Sequence, residues 1–330
     1  MGVNLKSVII KHPVKVEDFV GKVLVVDGFN MLYQFLSTIR APDGSLFIDK
    51  KGRVTSHLIG LFSRTANLAT KGIKLAFVFD GKVPKLKRQE IAERAAVKVE
   101  AKKKYEKAAK AGDVEAMRKY AARTSKLTPE MVDQAKRLLS LLGIPWIQAP
   151  SEGEAQAAFI VKKGDGWAVA SQDYDSLLYG STRLVQNLSA QRRQSFPELI
   201  DLDENLSALG ISQNQLIALA ILIGTDYNPR GVHGLGPKKG LSLVKKFGED
   251  FDKLFESVGW DYEFAWQDIF KLFKEMPVVE DYKLVWKPII TEDVANFLVG
   301  EHGFSPERVK KTLERFAKVP AGQKGLGDFL

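Results

Sequence analysis

The sequence predicts an α/β protein: a mainly parallel sheet flanked by helices. Two patterns carry that prediction. Three apolar runs, Lys22–Val26, Lys74–Phe79 and Trp167–Gln172, have the near-continuous hydrophobicity of strands buried on both faces. Between them lie amphipathic segments, Thr55–Ala69 and Thr128–Leu142, suited to crossover helices. The 330 residues are chain enough for about two domains and a sizeable core.

Each strand run leads into an aspartate: VLVVD ends at Asp27, LAFVFD at Asp80 and AVASQD at Asp173. Open parallel sheets bind ligands beyond the carboxyl ends of their strands, so three carboxylates are delivered to one edge. An isolated aspartate there can simply start a turn or cap a helix. Further acids join these three. Asp175 lies two residues beyond Asp173. Pro150-Ser-Glu-Gly-Glu sets Glu152 and Glu154 at the start of a helix expected to run to about Lys162. A capping box between Ser151 and Glu154 accounts for Glu154 alone. Asp226 follows the apolar helix Gln215–Ile223. If the seven acids converge, they cannot all stay ionised without cations. Oxygen donors without His or Cys suit Mg²⁺ or Mn²⁺, and two such ions can clamp the attacking and leaving oxygens of a phosphodiester.

The chain carries 49 Lys+Arg against 40 Asp+Glu, a net charge of +9. Residues 82–126 hold 15 Lys/Arg and 6 Asp/Glu, so this one segment contains the whole excess. Its Ala, Lys, Glu and Arg predict a basic helical pair, broken near Gly112 and again before Pro129. Lysine-rich helices are often only solvated faces. Concentration of the entire excess in one place favours a surface for a polyanion, most simply nucleic acid. The absence of cysteine excludes a disulfide scaffold, a cysteine nucleophile and thiolate-ligated metal. The four histidines have no metal-ligand spacing. The densest apolar run, Leu216–Ile223, is too short to span a bilayer, and the N-terminus lacks a signal-peptide pattern. The expectation is a soluble intracellular protein with no membrane partner.

The segments MGVNLKSVI, VVDGFNMLYQFL, RAPDGSLFIDKKGRVTSHLIGLFSRT, FVFDGKVPKLK, PSEGEAQAA, ASQDYDSLLYG and IGTDYN with GVHGLGPKKG resemble the flap endonucleases, in order and over nearly the whole chain. That resemblance implies a PIN-like core at residues 1–81 and 127–317, a helical arch at 82–126, and a helix–two-turn–helix element at about 215–247. It implies a structure-specific 5′ nuclease cutting branched DNA at the flap–duplex junction with two Mg²⁺, in replication and repair including Okazaki fragment maturation. Asp80, Glu152 and Glu154 then match ligands of one ion, with Asp27 acting nearby through water. Asp173, Asp175 and Asp226 match the second group, and Glu154 reaches both. Lys87 and Arg94 match a basic pair on the scissile phosphate. Tyr33 matches an aromatic that stacks on the neighbouring base; without the resemblance it reads equally as a core aromatic.

Gly234-Leu-Gly-Pro-Lys-Lys-Gly240 follows a helix rather than a strand, which argues against a dinucleotide loop. The resemblance makes Gly231–Lys239 a hairpin that holds duplex and a K⁺ ion. There Gly234 and Gly236 let backbone approach a phosphate, Pro237 starts the next helix, and Lys238 and Lys239 add phosphate contacts, as do Lys245 and Lys246. Gln34–Val54 corresponds to a wedge that opens the junction, with Arg40 and Arg64 as phosphate contacts. The last thirteen residues, 318–330, form a tail whose Gln323, Leu326, Phe329 and Leu330 resemble a sliding-clamp docking motif, with one aromatic where the usual pattern has two. A frayed tail is the plain alternative. Short length, absent cysteine and a Lys/Glu-rich composition lean towards an archaeal, thermophilic source, hence a cytoplasmic enzyme; a eukaryotic source would place it in the nucleus. The expected oligomeric state is a monomer. Two competing activities remain: a 5′ exonuclease or gap endonuclease of the same superfamily, and a branched-DNA-binding protein without chemistry. A hydrolase of small phosphates leaves the basic segment without a role.

Overall fold

A computed structural model describes residues 2–121, 124–188 and 196–317. In chain order the elements are β1 (His12–Pro13), β2 (Val23–Asp27), α1 (Gly28–Thr38), α2 (Ser56–Thr70), β3 (Lys74–Phe79), α3 (Arg88–Lys110), α4 (Val114–Ala121), α5 (Pro129–Leu141), β4 (Trp146–Gln148), α6 (Gly153–Lys162), β5 (Ala168–Ala170), α7 (Asp175–Leu178), β6 (Arg183–Gln186), β7 (Glu198–Asp201), α8 (Leu202–Leu209), α9 (Gln213–Ile223), α10 (Pro237–Phe247), α11 (Phe251–Val258), α12 (Trp266–Glu275), α13 (Thr291–Ala295), a π-helical turn (Asn296–Glu301) and α14 (Pro306–Ala317).

The strands form one sheet in the order β1-β7-β6-β5-β2-β3-β4. The five strands from β6 to β4 run parallel, and β7 and β1 continue the edge with antiparallel pairings. The three strands legible in the sequence are the adjacent centre, β5-β2-β3. Their apolar runs are continuous because helices cover both faces. Leu24 and Val26 of β2, with Leu75, Phe77 and Phe79 of β3, enter one core with α1, α2, α5 and α14. Val25 and Val78, on the opposite pleat, enter a second core with α6, α9 and α12. Strict alternation along buried strands divides the molecule into two hydrophobic layers.

The short outer strands escape the sequence reading because three or four residues give too little periodicity. Strand β5 is also shorter than the run that predicts it, ending at Ala170. The chain then bends at Gln172, Asp173 and Tyr174 before α7 begins at Asp175. Helices α3 and α4 break around Gly112, where the composition places a break. Helices α9 and α10 pack together, with Gly240 against Leu219; Gly236 is the N-cap of α10 and Pro237 its first residue.

Gly81 joins β3 to the site. A Cβ there runs into the carbonyl of Ala149 and the backbone of Pro150. Only a glycine lets the ends of β3 and β4 close at this point, directly after Asp80. Gly81→Ala is expected to destabilise the fold by about 1–3 kcal/mol through overpacking. Chemical denaturation checks this, and an unchanged midpoint refutes it.

Candidate active site

The carboxylates gather at the carboxyl edge of the central strands. Asp27 is the last residue of β2 and the N-cap of α1; its Oδ1 accepts the Asn30 N–H at 3.0 Å and its Oδ2 faces the Ser171 hydroxyl at 3.3 Å. It thus caps a helix and still turns one oxygen to the site. Asp80 Oδ1 accepts the Gly153 N–H at 2.7 Å, tying the end of β3 to the start of α6. The expected capping box at α6 does not form. Ser151 Oγ donates instead to the Lys82 carbonyl, and Glu152 itself is the N-cap. Glu154 is free to accept the Ser171 hydroxyl at 3.1 Å. Asp173 accepts from the Asn30 amide at 3.0 Å and the Gly2 N–H at 3.2 Å. Asp175 opens α7 and accepts the Val3 N–H at 2.8 Å. Asp226 follows α9.

Gly2, Val3, Asn30 and Ser171 are absent from the sequence reading. Ser171 and Asn30 lie within three residues of predicted acids, a positional signal that could have found them. Backbone N–H donors at the N-terminus leave no such mark. At Gly2, a Cβ would stand 2.5 Å from Asp175 Oδ1, so only glycine lets the chain approach so closely.

Burial and mutual repulsion set the charge state. Burial, then the neighbouring Asp80 carboxylate, pushes the Asp27 pKa up to about 8. Burial, then Asp226 and Asp173, pushes Asp175 up to about 7 against the pull of the Val3 N–H. Burial also raises Asp80 and Glu152, outweighing the nearby Lys87, and Glu154 rises well above the ordinary carboxylate range. Each of these acids feels several others through a low-dielectric interior, as expected for like charges sharing one site.

The counter-charges come from the basic arch. Lys87 Nζ lies 2.7 Å from Glu152 Oε2 and 3.2 Å from Asp226 Oδ2. Burial alone would lower its pKa, but Glu152 and Asp226 hold it above the ordinary lysine value. Arg94 reaches both Asp226 oxygens at 3.2 Å and pairs with Glu90 one turn back. Residues 87 and 94 thus meet one aspartate from one side of the arch, as a two-turn spacing requires. Beneath them the hydroxyls of Tyr179 and Tyr227 stand 2.8 Å apart, and burial keeps both phenols well above their usual pKa.

The donor set fits a hard divalent cation: oxygen ligands only, several of them raised by burial and by one another. Among the described residues, no three acids or histidines stand in a ready-made cage. Lys87 and Arg94 pair with Glu152 and Asp226 there.

The remaining predicted residues fall in three places. Tyr33 is half-buried on α1, with Lys98 of the arch 4.8 Å from its ring centroid, so it is not a sealed core aromatic. Arg40 spends its terminal nitrogens internally, on the Gly44 carbonyl and Ser125 Oγ, both at 2.8 Å, joining the wedge segment to the foot of the arch. Arg64 is half-buried on α2 without a hydrogen-bond or ion-pair partner among the described residues. Gly234 (φ +77°) and Gly236 are open to solvent, and Lys238 and Lys239 are exposed on the first turn of α10. Gln323, Leu326, Phe329 and Leu330 lie outside the described residues.

A parallel sheet ending in acids, roofed by a basic helical arch, defines a nuclease of the XPG type. The sequence bears the XPG N-terminal domain at residues 1–101 and the XPG I-region at 143–226. It is 50% identical to flap endonuclease 1 of Staphylothermus marinus, over 97% of this chain and 95% of that one. It is 43% identical to flap endonuclease 1 of Methanothermobacter thermautotrophicus, over 100% of both. The fold matches the solved flap endonuclease-1 from Methanococcus jannaschii with a TM-score of 0.79 at 43% identity, covering 97% of this chain and 99% of that chain. It also matches the catalytic core of Rad2 in complex with DNA substrate, with a TM-score of 0.67 at 26% identity, covering 93% and 95%. The chain belongs to the flap endonuclease 1 family, a family of metal-dependent nucleases.

The raised carboxyls fix a pH dependence. An acid whose folded pKa exceeds its unfolded value of about 3.9 loses stability for the protein as pH rises between the two. For Asp175 that window runs from about 4 to about 7. In EDTA, Asp175→Asn keeps the acceptor for Val3 and removes the charge. It is expected to stabilise the protein by roughly 1–3 kcal/mol at pH 8 and by little at pH 4.5. Excess Mg²⁺ should erase the gain. Guanidinium denaturation at both pH values checks this; a variant no more stable than the parent at pH 8 refutes it.

Proposed function

We propose that the chain cuts branched DNA at the junction of a 5′ flap and duplex by two-metal phosphodiester hydrolysis, with 5′–3′ exonuclease activity, in replication and repair. The observation that carries this reading is the meeting of acids and arch. Buried carboxylates that raise one another's pKa lie beyond the ends of β2, β3 and β5, and two of the acids there, Glu152 and Asp226, pair with Lys87 and Arg94.

Asp80, Glu152 and Glu154 would hold one Mg²⁺ and Asp173, Asp175 and Asp226 the other, with Asp27 acting through water and Glu154 reaching both; Mn²⁺ can substitute. Bound ions supply Lewis-acid stabilisation to the attacking and leaving oxygens of an in-line displacement. The chain supplies the rest. Lys87 and Arg94 exchange carboxylates for the scissile phosphate, where their charge counts most as the transition state forms. Tyr33 stacks on the adjacent base once Lys98 withdraws. The open backbone at Gly234 and Gly236, the N-terminus of α10, and Lys238 and Lys239 hold duplex phosphates without reading sequence, with K⁺ at the hairpin. Arg64 is free for a phosphate near the junction. Arg40, whose terminal nitrogens meet the Gly44 carbonyl and Ser125 Oγ, would turn to a phosphate as Lys87 and Arg94 do, by exchanging an internal partner. The enzyme works as a monomer in the cytoplasm of an archaeal cell and docks on a sliding clamp through Gln323, Leu326, Phe329 and Leu330. The archaeal sources of its relatives support that setting.

A labelled double-flap substrate tests the reading. Mg²⁺ should yield one dominant product cut at the junction, and EDTA should abolish it. End-to-end degradation without flap preference, or cleavage in EDTA, overturns it.

Lys87→Ala and Arg94→Ala should lower the single-turnover rate by about 10²-fold or more with little change in affinity. Lys103→Ala, on the exposed part of α3, should instead weaken binding slightly and flatten its salt dependence. Matching profiles for the three variants remove Lys87 and Arg94 from catalysis.

Removing residues 323–330 should leave the intrinsic cleavage rate unchanged and abolish binding to the cognate clamp. Undiminished clamp binding by the truncated chain places the docking site elsewhere.

A further inference from the structure

The acids assigned to the second metal group sit on separate pieces of chain, and something must set their spacing. Asp175 begins α7. Asp226 lies in the turn after α9. Each is followed by a tyrosine: Tyr227 directly after Asp226, and Tyr179 one helical turn beyond Asp175. Their hydroxyls meet at 2.8 Å. Phe273 of α12 packs on both rings, with centroids 5.1 and 5.5 Å away.

Both backbones are rigidly built. Gln213 at the start of α9 donates to the Leu177 and Leu178 carbonyls, both at 2.9 Å, and so grips the end of α7. The 225–228 turn is closed by fully buried Asn228, which accepts from the Thr225 hydroxyl at 2.7 Å and donates to the Ile221 carbonyl at 2.7 Å. The Asp226 carboxylate itself is held by Lys87 and Arg94, the two cations that must leave it to meet a phosphate.

We propose that the Tyr179–Tyr227 hydroxyl bond is a positioning device that fixes the distance between the Asp175-bearing helix and the Asp226-bearing turn, so that the second metal group keeps its spacing when the arch cations move away. The tyrosine hydroxyls bond to each other, so they act on the acids through the backbone that carries both. This rests on the two-metal reading.

The test compares Tyr179→Phe, Tyr227→Phe and the double variant in the full chain. Each keeps the ring that packs on Phe273. Free Mn²⁺ followed by its EPR signal measures metal binding without DNA. Each single change should weaken binding about tenfold, as loss of groups that orient metal ligands does. The double variant should be no worse than either single one, because one bond is lost in every case. In flap cleavage, the Mg²⁺ half-saturation should rise by a similar factor while saturating Mg²⁺ restores the rate. Unchanged Mn²⁺ affinity in a single variant, additive losses, or a rate that Mg²⁺ does not restore overturns the proposal. If one single variant fails to fold, the other carries the measurement. Asp175→Ala separates two failures: if it binds Mn²⁺ as the parent does, the metal reading itself is wrong.

Discussion

Too many carboxylates share too little water at the edge of the central sheet, and the surrounding structure is organised around that repulsion. Asp27 and Asp175 are each less than one tenth exposed, and both are pushed towards the protonated state. A protein gains nothing in stability from such an arrangement. It persists because strong binding in the interior fixes the backbone that carries it. Strand pairing sets Asp27 and Asp80, the helix N-terminus at Gly153 claims one oxygen of Asp80, and backbone N–H groups from the very start of the chain claim Asp173 and Asp175. These donors steady the acids without neutralising them.

Neutralisation falls to the arch. Two of its cations face inward: Lys87 is half-buried between Glu152 and Asp226, and Arg94 bridges to Asp226. The same two side chains that satisfy the acids in this structure are those with the reach and charge to hold a phosphate. An ion pair of this kind is costly to bury and strongly penalised when one partner is removed. That makes it a poor source of stability and an effective exchangeable one, since divalent cations and a phosphate can replace both halves together.

The elements beyond the acids are tied to this centre at two further places. Helices α9 and α10 meet through Gly240 and present an open glycine hairpin with exposed lysines, while the turn between them carries Asp226. One short segment therefore belongs both to the α9–α10 pair and to the acid cluster. Arg40 performs a similar joining role at the wedge, where both terminal nitrogens are consumed by the Gly44 carbonyl and Ser125.

The amino-acid sequence by itself determined the three central strands, the acids that follow them, the major helices and the basic segment. All of these rest on local information: unbroken apolar runs, 3.6-residue spacing, and charge counted along the chain. It also held the family signature in those same residues. The outer strands β4, β6 and β7 were not legible, because strands of three or four residues take their conformation from the neighbours they pair with. Nor were Gly2 and Val3, whose contribution is backbone N–H groups that every residue possesses. Ser151 and Glu154 fit a capping box by spacing, yet the tertiary structure gives Ser151 to the Lys82 carbonyl and Glu154 to Ser171. The partners of Arg40, the Gly44 carbonyl and Ser125, were likewise invisible until the fold brought them within reach. The sequence decides which groups exist and how often they recur. Which partner each polar group takes is decided only when distant segments are packed together, because a hydrogen bond goes to the nearest well-oriented partner in space and not along the chain.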